Sequence, residues 1–168
     1  MQPTYLPWTG YFKMILNSDL FIFLDDVQFE TRCFQSRNKI LVNKLPKLIS
    51  VPVNRKNKFD QLINEVQINY DSDWVNKHLR TIYLNYKNHP FFEEIYVIIK
   101  DILEKNEKKL VDLNCSLIKN ICAYIGIKTK FEYSSSFKIK QKKTQKILGL
   151  LKATGGSFYL TPERTKDY

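Results

Sequence analysis

Residues 2–12 read QPTYLPWTGYF and residues 19–29 read DLFIFLDDVQF, and these two segments indicate the fold class. Pro3 and Pro7 fix φ in the first segment and Gly10 allows a tight approach or a turn, which together predict an ordered loop. A helix over 11–17 and a buried strand over 20–25 follow from the apolar pattern. A strand that ends in two adjacent acids is typical of α/β enzymes, which place polar groups at the edge of a sheet.

The rest of the chain continues this alternation of strands and helices and contains no internal repeat. We therefore predict one α/β domain over 1–168, with a mostly parallel Rossmann-like sheet and a helical insertion at about 71–126. The chain is 168 residues long and 43% hydrophobic, which is sufficient for one core. The pattern predicts strands at 38–43, 47–53, 65–68, 129–133 and 157–160, and helices at 71–86, 90–105, 107–125 and 142–153.

The net charge of +10 indicates an anionic partner such as a nucleotide, a nucleic acid or a phosphorylated sugar carrier. The alternative is compositional, because Lys, Ile and Asn are abundant together. Three cysteines without metal spacing argue against a disulfide framework and a structural zinc site, and fit a reducing, cytoplasmic setting. The apolar runs are too short for a membrane span.

The acids Asp25 and Asp26 are the first candidate catalytic residues. They can bind a divalent metal, orient an amine or hydroxyl, or act as a general base. Strand alternation places them on opposite faces. In the alternative interpretation Asp26 caps the turn and Asp25 pairs with Arg37.

A polar cluster follows this strand and consists of Arg32, Gln35, Arg37 and Asn38, for which a solvated loop is the alternative interpretation. A guanidinium suits phosphate or carboxylate, and amides donate and accept hydrogen bonds. Farther along, lysines crowd residues 138–152, next to three serines and the start of a helix. That arrangement predicts an anion pocket with Ser135 and Lys143, although a solvated basic loop is the alternative. Neither a P-loop nor a GxGxxG motif is present.

Aromatic residues and one histidine complete the candidate site. His78 is a candidate catalytic group, but it shares a helical face with Trp74, which also fits a buried histidine. Tyr5, Trp8 and Tyr11 are expected to form the walls of a substrate site, because sugars and bases stack on aromatic faces. Gln2 is the last candidate substrate-binding residue.

These motifs together resemble the WbqC-like protein family over nearly the whole chain. The matching pieces are residues 2–12, SDLFIFLDDVQF (18–29), Arg37-Asn38, Trp74 with His78, the stretch to Pro90-Phe91-Phe92, the serines at 134–136, KTQKILGLLK (143–152) and the ending GGSFYLTP…KDY.

The resemblance implies a role beside O-antigen or other surface-glycan genes, with transferase activity that includes glycine transfer to a sugar. Family members usually begin with an apolar strand before the Gln-Pro, often with a histidine, where this chain has Met1. Many also continue beyond the Tyr159-Leu160 position. We therefore expect a domain shortened at both ends, with unpaired strand edges or a strand supplied by a partner.

The leading hypothesis is a transferase that adds an aminoacyl or acyl group, such as glycine, to a sugar in surface-polysaccharide biosynthesis. Its substrate is expected to be a small molecule or a nucleotide sugar. The alternatives are a non-catalytic module that binds nucleic acid or an anionic carrier, and an inactive shortened family member. Fold-level analogy with adenylate-forming enzymes adds nucleotide use as a further possibility. The sequence leaves the donor, acceptor, cofactor, metal requirement and oligomeric state open.

Overall fold

The mixed α/β class is confirmed by the computed structural model, which describes residues 1–55 and 60–161. In chain order the helices and strands are α1 (Thr9–Leu16), β1 (Leu20–Phe23), β2 (Arg37–Val42), β3 (Leu45–Ser50), α2 (Trp74–Tyr86), α3 (Phe92–Glu104), α4 (Leu110–Tyr124), β4 (Lys130–Tyr133) and α5 (Lys143–Thr154). Short 3-10 helices cover Ile63–Glu65 and Ser134–Phe137.

Strands β1 and β4 form a small parallel sheet, although three helices and a hairpin separate them in the sequence. Phe21 pairs with Phe131, and Phe23 pairs with Tyr133. On the side of β1 that faces away from β4, the Met1 amino group donates to the Ile22 carbonyl at 2.8 Å. Because parallel strands share one direction, the chain leaves β1 and β4 at the same edge of the sheet.

Strands β2 and β3 form a separate antiparallel hairpin, with Arg37 opposite Ser50 and Val42 opposite Leu45. Asn43 and Lys44 connect them with φ angles of 50° and 65°. Two successive positive φ angles are what a two-residue hairpin turn requires, since that turn matches the twist of its strands. The two strands predicted around Leu45-Pro46 therefore form, with shifted ends.

The core lies between the parallel sheet and the helices. Phe23 and Phe131 stack with ring centroids 5.4 Å apart, and Phe21 meets both rings edge-on. Helix α4 buries eight of its residues, including Leu117 and Ile118, because apolar side chains recur on more than one of its faces. The helix packs against α3 and the 3-10 turn Ile63–Glu65, and its Lys119 lies over aromatic rings of β1 and β4.

Two of the predicted strands do not form. Residues 157–160 are described but contain no strand, and Phe158 is 93% exposed. At 65–68 the chain makes only isolated bridges, such as Val53 with Ile68, after a 3-10 turn. An apolar run becomes a strand only when a neighbour pairs with its backbone along several residues. Among the described residues no strand pairs with 157–160, and the neighbours of 65–68 pair with it only at single residues.

Candidate functional site

The candidate site lies where β1 and β4 end. Asp25 follows β1 by two residues, and Ser134 and Ser135 follow β4 directly. Because the two strands are parallel neighbours, both connections leave the sheet at the same edge. Residues more than a hundred positions apart in the chain are thus brought into hydrogen-bond contact.

Asp25 is almost fully buried and its carboxylate accepts hydrogen bonds on both oxygens. Oδ1 accepts from the Ser135 backbone N–H at 2.9 Å and from the Ser134 hydroxyl at 3.1 Å. Oδ2 accepts from the Ser135 hydroxyl at 2.7 Å and from Asn64 Nδ2 at 3.4 Å. These donors replace the water that burial removes. The alternative in which Asp25 pairs with Arg37 is wrong, since these groups take that place.

Asp26 is bound to Lys146, with 2.6 Å between Oδ2 and the Lys146 Nζ. The two side chains are 17% and 7% exposed, so Asp26 retains the greater access to solvent. The Ser134 hydroxyl contacts carboxylate oxygens of both Asp25 and Asp26. The two acids therefore converge on one serine and do not point away from each other.

Lys146 is the functional candidate that the sequence pattern hid. It lies on α5 four positions before the buried Leu150, which places it on the core-facing side of the helix. A charged residue at a core-facing position usually has a buried partner, and that was the available signal. No comparable signal marks Asn64 in the sequence. This residue lies in the 3-10 helix Ile63–Glu65, far from Asp25 along the chain, and only folding brings its amide to the Asp25 carboxylate.

The N-terminal loop is held by polar contacts. Asn38 Nδ2 donates to the Tyr5 carbonyl at 3.1 Å, and the Tyr11 hydroxyl donates to the Gln2 carbonyl at 3.0 Å. Tyr5 and Tyr11 are buried, whereas Trp8 is 62% exposed. The two tyrosines thus pack in the core under the loop. Of the three aromatic residues, Trp8 alone exposes most of its surface to solvent. Contact between any of them and a substrate stays a prediction.

A buried asparagine on α4 joins this loop to the core. Asn114 Nδ2 donates to the Gln35 carbonyl at 2.7 Å and to the Pro3 carbonyl at 3.2 Å. Gln35 in turn donates from Nε2 to Gln2 Oε1 at 2.9 Å. A buried amide that satisfies two loop carbonyls specifies the loop conformation, because leaving those carbonyls unpaired is costly.

His78 lies in the core of α2 beside this loop. Its Nδ1 is 3.0 Å from the Tyr5 hydroxyl, and its ring meets Trp74 edge-on at 5.2 Å. Burial lowers the pKa of His78 to about 4. Within the described residues, no hydrogen bond or ring contact joins His78 to Asp25 or Asp26. The structure thus places it apart from the carboxylates.

The buried imidazole predicts an acid-sensitive fold. The unfolded chain binds a proton at His78 near pH 6.5, but the native protein excludes it until about pH 4. Stability should therefore fall by about 3 kcal/mol as the pH drops through this window. Urea unfolding across this range should show a flatter pH profile for His78→Gln, whereas the exposed-site control His89→Gln should follow the parent. A parent-like profile in His78→Gln would contradict the buried neutral imidazole.

The basic candidates lie at the surface. Lys143 begins α5 and is exposed, and Arg37 begins β2 and is partly exposed. Among the residues that the structure describes, the ion pairs are Lys146 with Asp26 and Lys100 with Glu104.

The described ranges contain no group of three or more His, Cys, Asp or Glu side chains arranged to hold a metal ion. In the same ranges, no helix has the length and apolar character needed to cross a membrane.

Comparisons with known proteins give the chain a family. The model of the WbqC-like protein family matches residues 2–168. A protein of Mycobacterium tuberculosis (strain ATCC 25618 / H37Rv), named "Uncharacterized protein Rv1507c", is 33% identical over 169 residues, which cover all of this chain and 73% of that protein. No solved structure matches the chain. The chain belongs to the WbqC-like protein family.

Proposed function

We propose that the protein is a group-transfer enzyme that moves an acyl or aminoacyl group, such as glycine, onto a sugar during surface-polysaccharide (O-antigen) biosynthesis. The observation that carries this proposal is the pairing of two carboxylates in different environments at one sheet edge. Asp25 is saturated with donors, and Asp26 is partly accessible beside a buried lysine. One acid is thus suited to positioning and the other to proton transfer.

Asp26 serves as the general base in this proposal. The acceptor amine or hydroxyl attacks the carbonyl carbon of an activated acyl donor, and its proton passes to Asp26. The new bond to the acceptor forms while the bond to the donor's leaving group breaks. Lys146 lies 2.6 Å from Asp26 and supplies the positive charge that balances the carboxylate. Asp25 is hydrogen-bonded to Ser134 and Ser135 and so fixes the conformation of the chain directly after β4.

Exposed lysines beside the site support an anionic substrate. Lys138, Lys140, Lys142 and Lys143 are all exposed and precede Lys146 in the sequence. No acid occurs between Glu132 and Glu163 to neutralise them. A nucleoside-diphosphate sugar carries the charge that such a segment attracts. The three cysteines are free, which supports a cytoplasmic setting, because that compartment keeps thiols reduced.

The test is a transfer assay with defined probes. Acetyl- and glycyl-coenzyme A serve as donors, and UDP-N-acetylglucosamine and a nucleoside-diphosphate 4-amino sugar serve as acceptors, with products read by mass spectrometry. Asp26→Asn should lower the rate about a hundred-fold, because the base is lost while the side-chain shape is kept. Asp19→Asn, at an exposed acid before β1, is the matched control.

Two results would contradict the proposal. One is the absence of transfer by the parent protein with every donor and acceptor pair. The other is an Asp26→Asn protein that is folded, as judged by urea unfolding, and transfers at the parent rate.

A further inference from the structure

The hairpin formed by β2 and β3 exposes large apolar side chains. Leu41 is 53% exposed, Leu45 is 70% exposed and Leu48 is 46% exposed. Scattered single leucines are ordinary on protein surfaces, but three on one short hairpin form a concentrated apolar feature. Such a feature indicates an interaction surface.

The same hairpin is strongly basic. Lys39, Lys44 and Lys47 are exposed, and they alternate with Leu41, Leu45 and Leu48 in the sequence. No acidic residue occurs between Glu30 and Asp60. The hairpin lysines form none of the ion pairs found within the described ranges. The surface is therefore complementary to a partner that is both negatively charged and apolar.

The apolar residues surround the end of the hairpin and do not form one flat face. Leu41 is opposite Pro46 in the antiparallel register, and Leu45 is opposite Val42 on the other face. Both faces are exposed near the turn, since every residue from 43 to 48 is exposed. An apolar tip with two exposed faces buries the most apolar surface when the surrounding medium covers both faces, whereas a flat protein surface covers only one.

The hairpin is also held rigidly. The Leu41 backbone N–H donates to the Tyr86 hydroxyl at 2.8 Å, and the Asn43 N–H donates to Asn85 Oδ1 at 3.0 Å. Ile49 is buried in the core. These contacts fix the hairpin against α2 before any partner binds, so association requires little further ordering.

We propose that this hairpin docks on the surface of an anionic lipid bilayer. The leucines enter the boundary between headgroups and acyl chains, and the lysines pair with lipid phosphates. Residues 37–50 contain no aromatic side chain, whereas single-stranded nucleic acid is usually bound by stacking on aromatic rings. The proposal is independent of the transfer reaction, since it uses none of the residues at the sheet edge.

Vesicle co-sedimentation of the full chain tests the proposal. Parent protein should sediment with vesicles of phosphatidylcholine and phosphatidylglycerol but not with phosphatidylcholine alone. Leu41→Gln with Leu45→Gln should bind about ten-fold more weakly, because the apolar contribution is removed. Lys39→Gln with Lys47→Gln should bind about thirty-fold more weakly, since each surface lysine contributes separately.

Matched controls separate the hairpin from the bulk properties of the chain. Leu16→Gln replaces a leucine that is 62% exposed on α1, and Lys105→Gln with Lys108→Gln removes the same charge elsewhere. Both controls should bind as the parent does, and all variants should keep the parent's urea midpoint.

Three outcomes would overturn the proposal. One is failure of the parent protein to sediment with the anionic vesicles. Another is equal binding by the control and hairpin variants, which would indicate nonspecific attraction by charge. The third is binding that depends on the lysines but not on the leucines and is displaced by a single-stranded oligonucleotide, which would assign the surface to nucleic acid.

Discussion

Replacing Lys146 with methionine is expected to lower the free energy of unfolding by about 3–5 kcal/mol, because it leaves the Asp26 carboxylate without its countercharge in a largely buried position. Methionine keeps the length and apolar stem of lysine, so loss of packing contributes little. The Ile139 carbonyl, which accepts from the Lys146 Nζ at 3.2 Å, also loses its partner. Urea unfolding followed by circular dichroism measures the change.

A second substitution distinguishes the pair from a simple packing defect. Asp26→Leu combined with Lys146→Met removes both charges, and it should recover most of the lost stability. Lys143→Met, three positions earlier on the same helix and exposed, should change stability by less than about 0.5 kcal/mol. A Lys146→Met protein as stable as Lys143→Met would show that the ion pair does not contribute as described.

Replacing Asp25 with alanine is expected to cost about 3–5 kcal/mol as well, for a different reason. The Ser135 N–H, the Ser135 hydroxyl and the Asn64 amide donate to this carboxylate, and the Ser134 hydroxyl contacts it as well. Removing the acceptor leaves the first three donors, which are partly buried, without this partner, whereas the Ser134 hydroxyl keeps its contact with Asp26. Each unpaired donor carries a desolvation penalty. Urea unfolding measures the loss directly.

Two comparisons make this prediction specific. Asp25→Asn should be less damaging than alanine, since the amide oxygen still accepts from one donor while its NH₂ faces others. Asp19→Ala removes an exposed carboxylate before the same strand and should have little effect. Equal stability of Asp25→Ala and Asp19→Ala would refute the structural role of the Asp25 carboxylate.

Local patterns anticipated many of the elements but not how they pair. The apolar run before Asp25 forms β1, and the two segments around Leu45-Pro46 form β2 and β3. The same reasoning failed at 157–160, where an apolar run has no partner strand among the described residues. Periodicity reports which side chains avoid water, but a strand also needs a neighbour that the local sequence does not name.

The candidate site shows the same division. Adjacent acids after a buried strand were visible in the sequence, and so were the serines after the predicted strand near 129–133. Their meeting at one edge depends on the parallel pairing of β1 with β4. Lys146 was one of several lysines in a basic segment. Its spacing of four from Leu150 indicated a core-facing position, but the packing of α5 was needed to identify Asp26 as its partner.

By itself, the sequence determined the mixed α/β class, the family and the position of the two acids, because these depend on motifs and on short-range apolar patterns. Tertiary structure alone decided the rest. It made Asp25 a saturated carboxylate and Asp26 a lysine-paired one, and it put His78 beside Tyr5, apart from both acids. The physical reason is that the charge state, burial and partners of a side chain are set by groups distant in the chain, and folding alone brings those groups together.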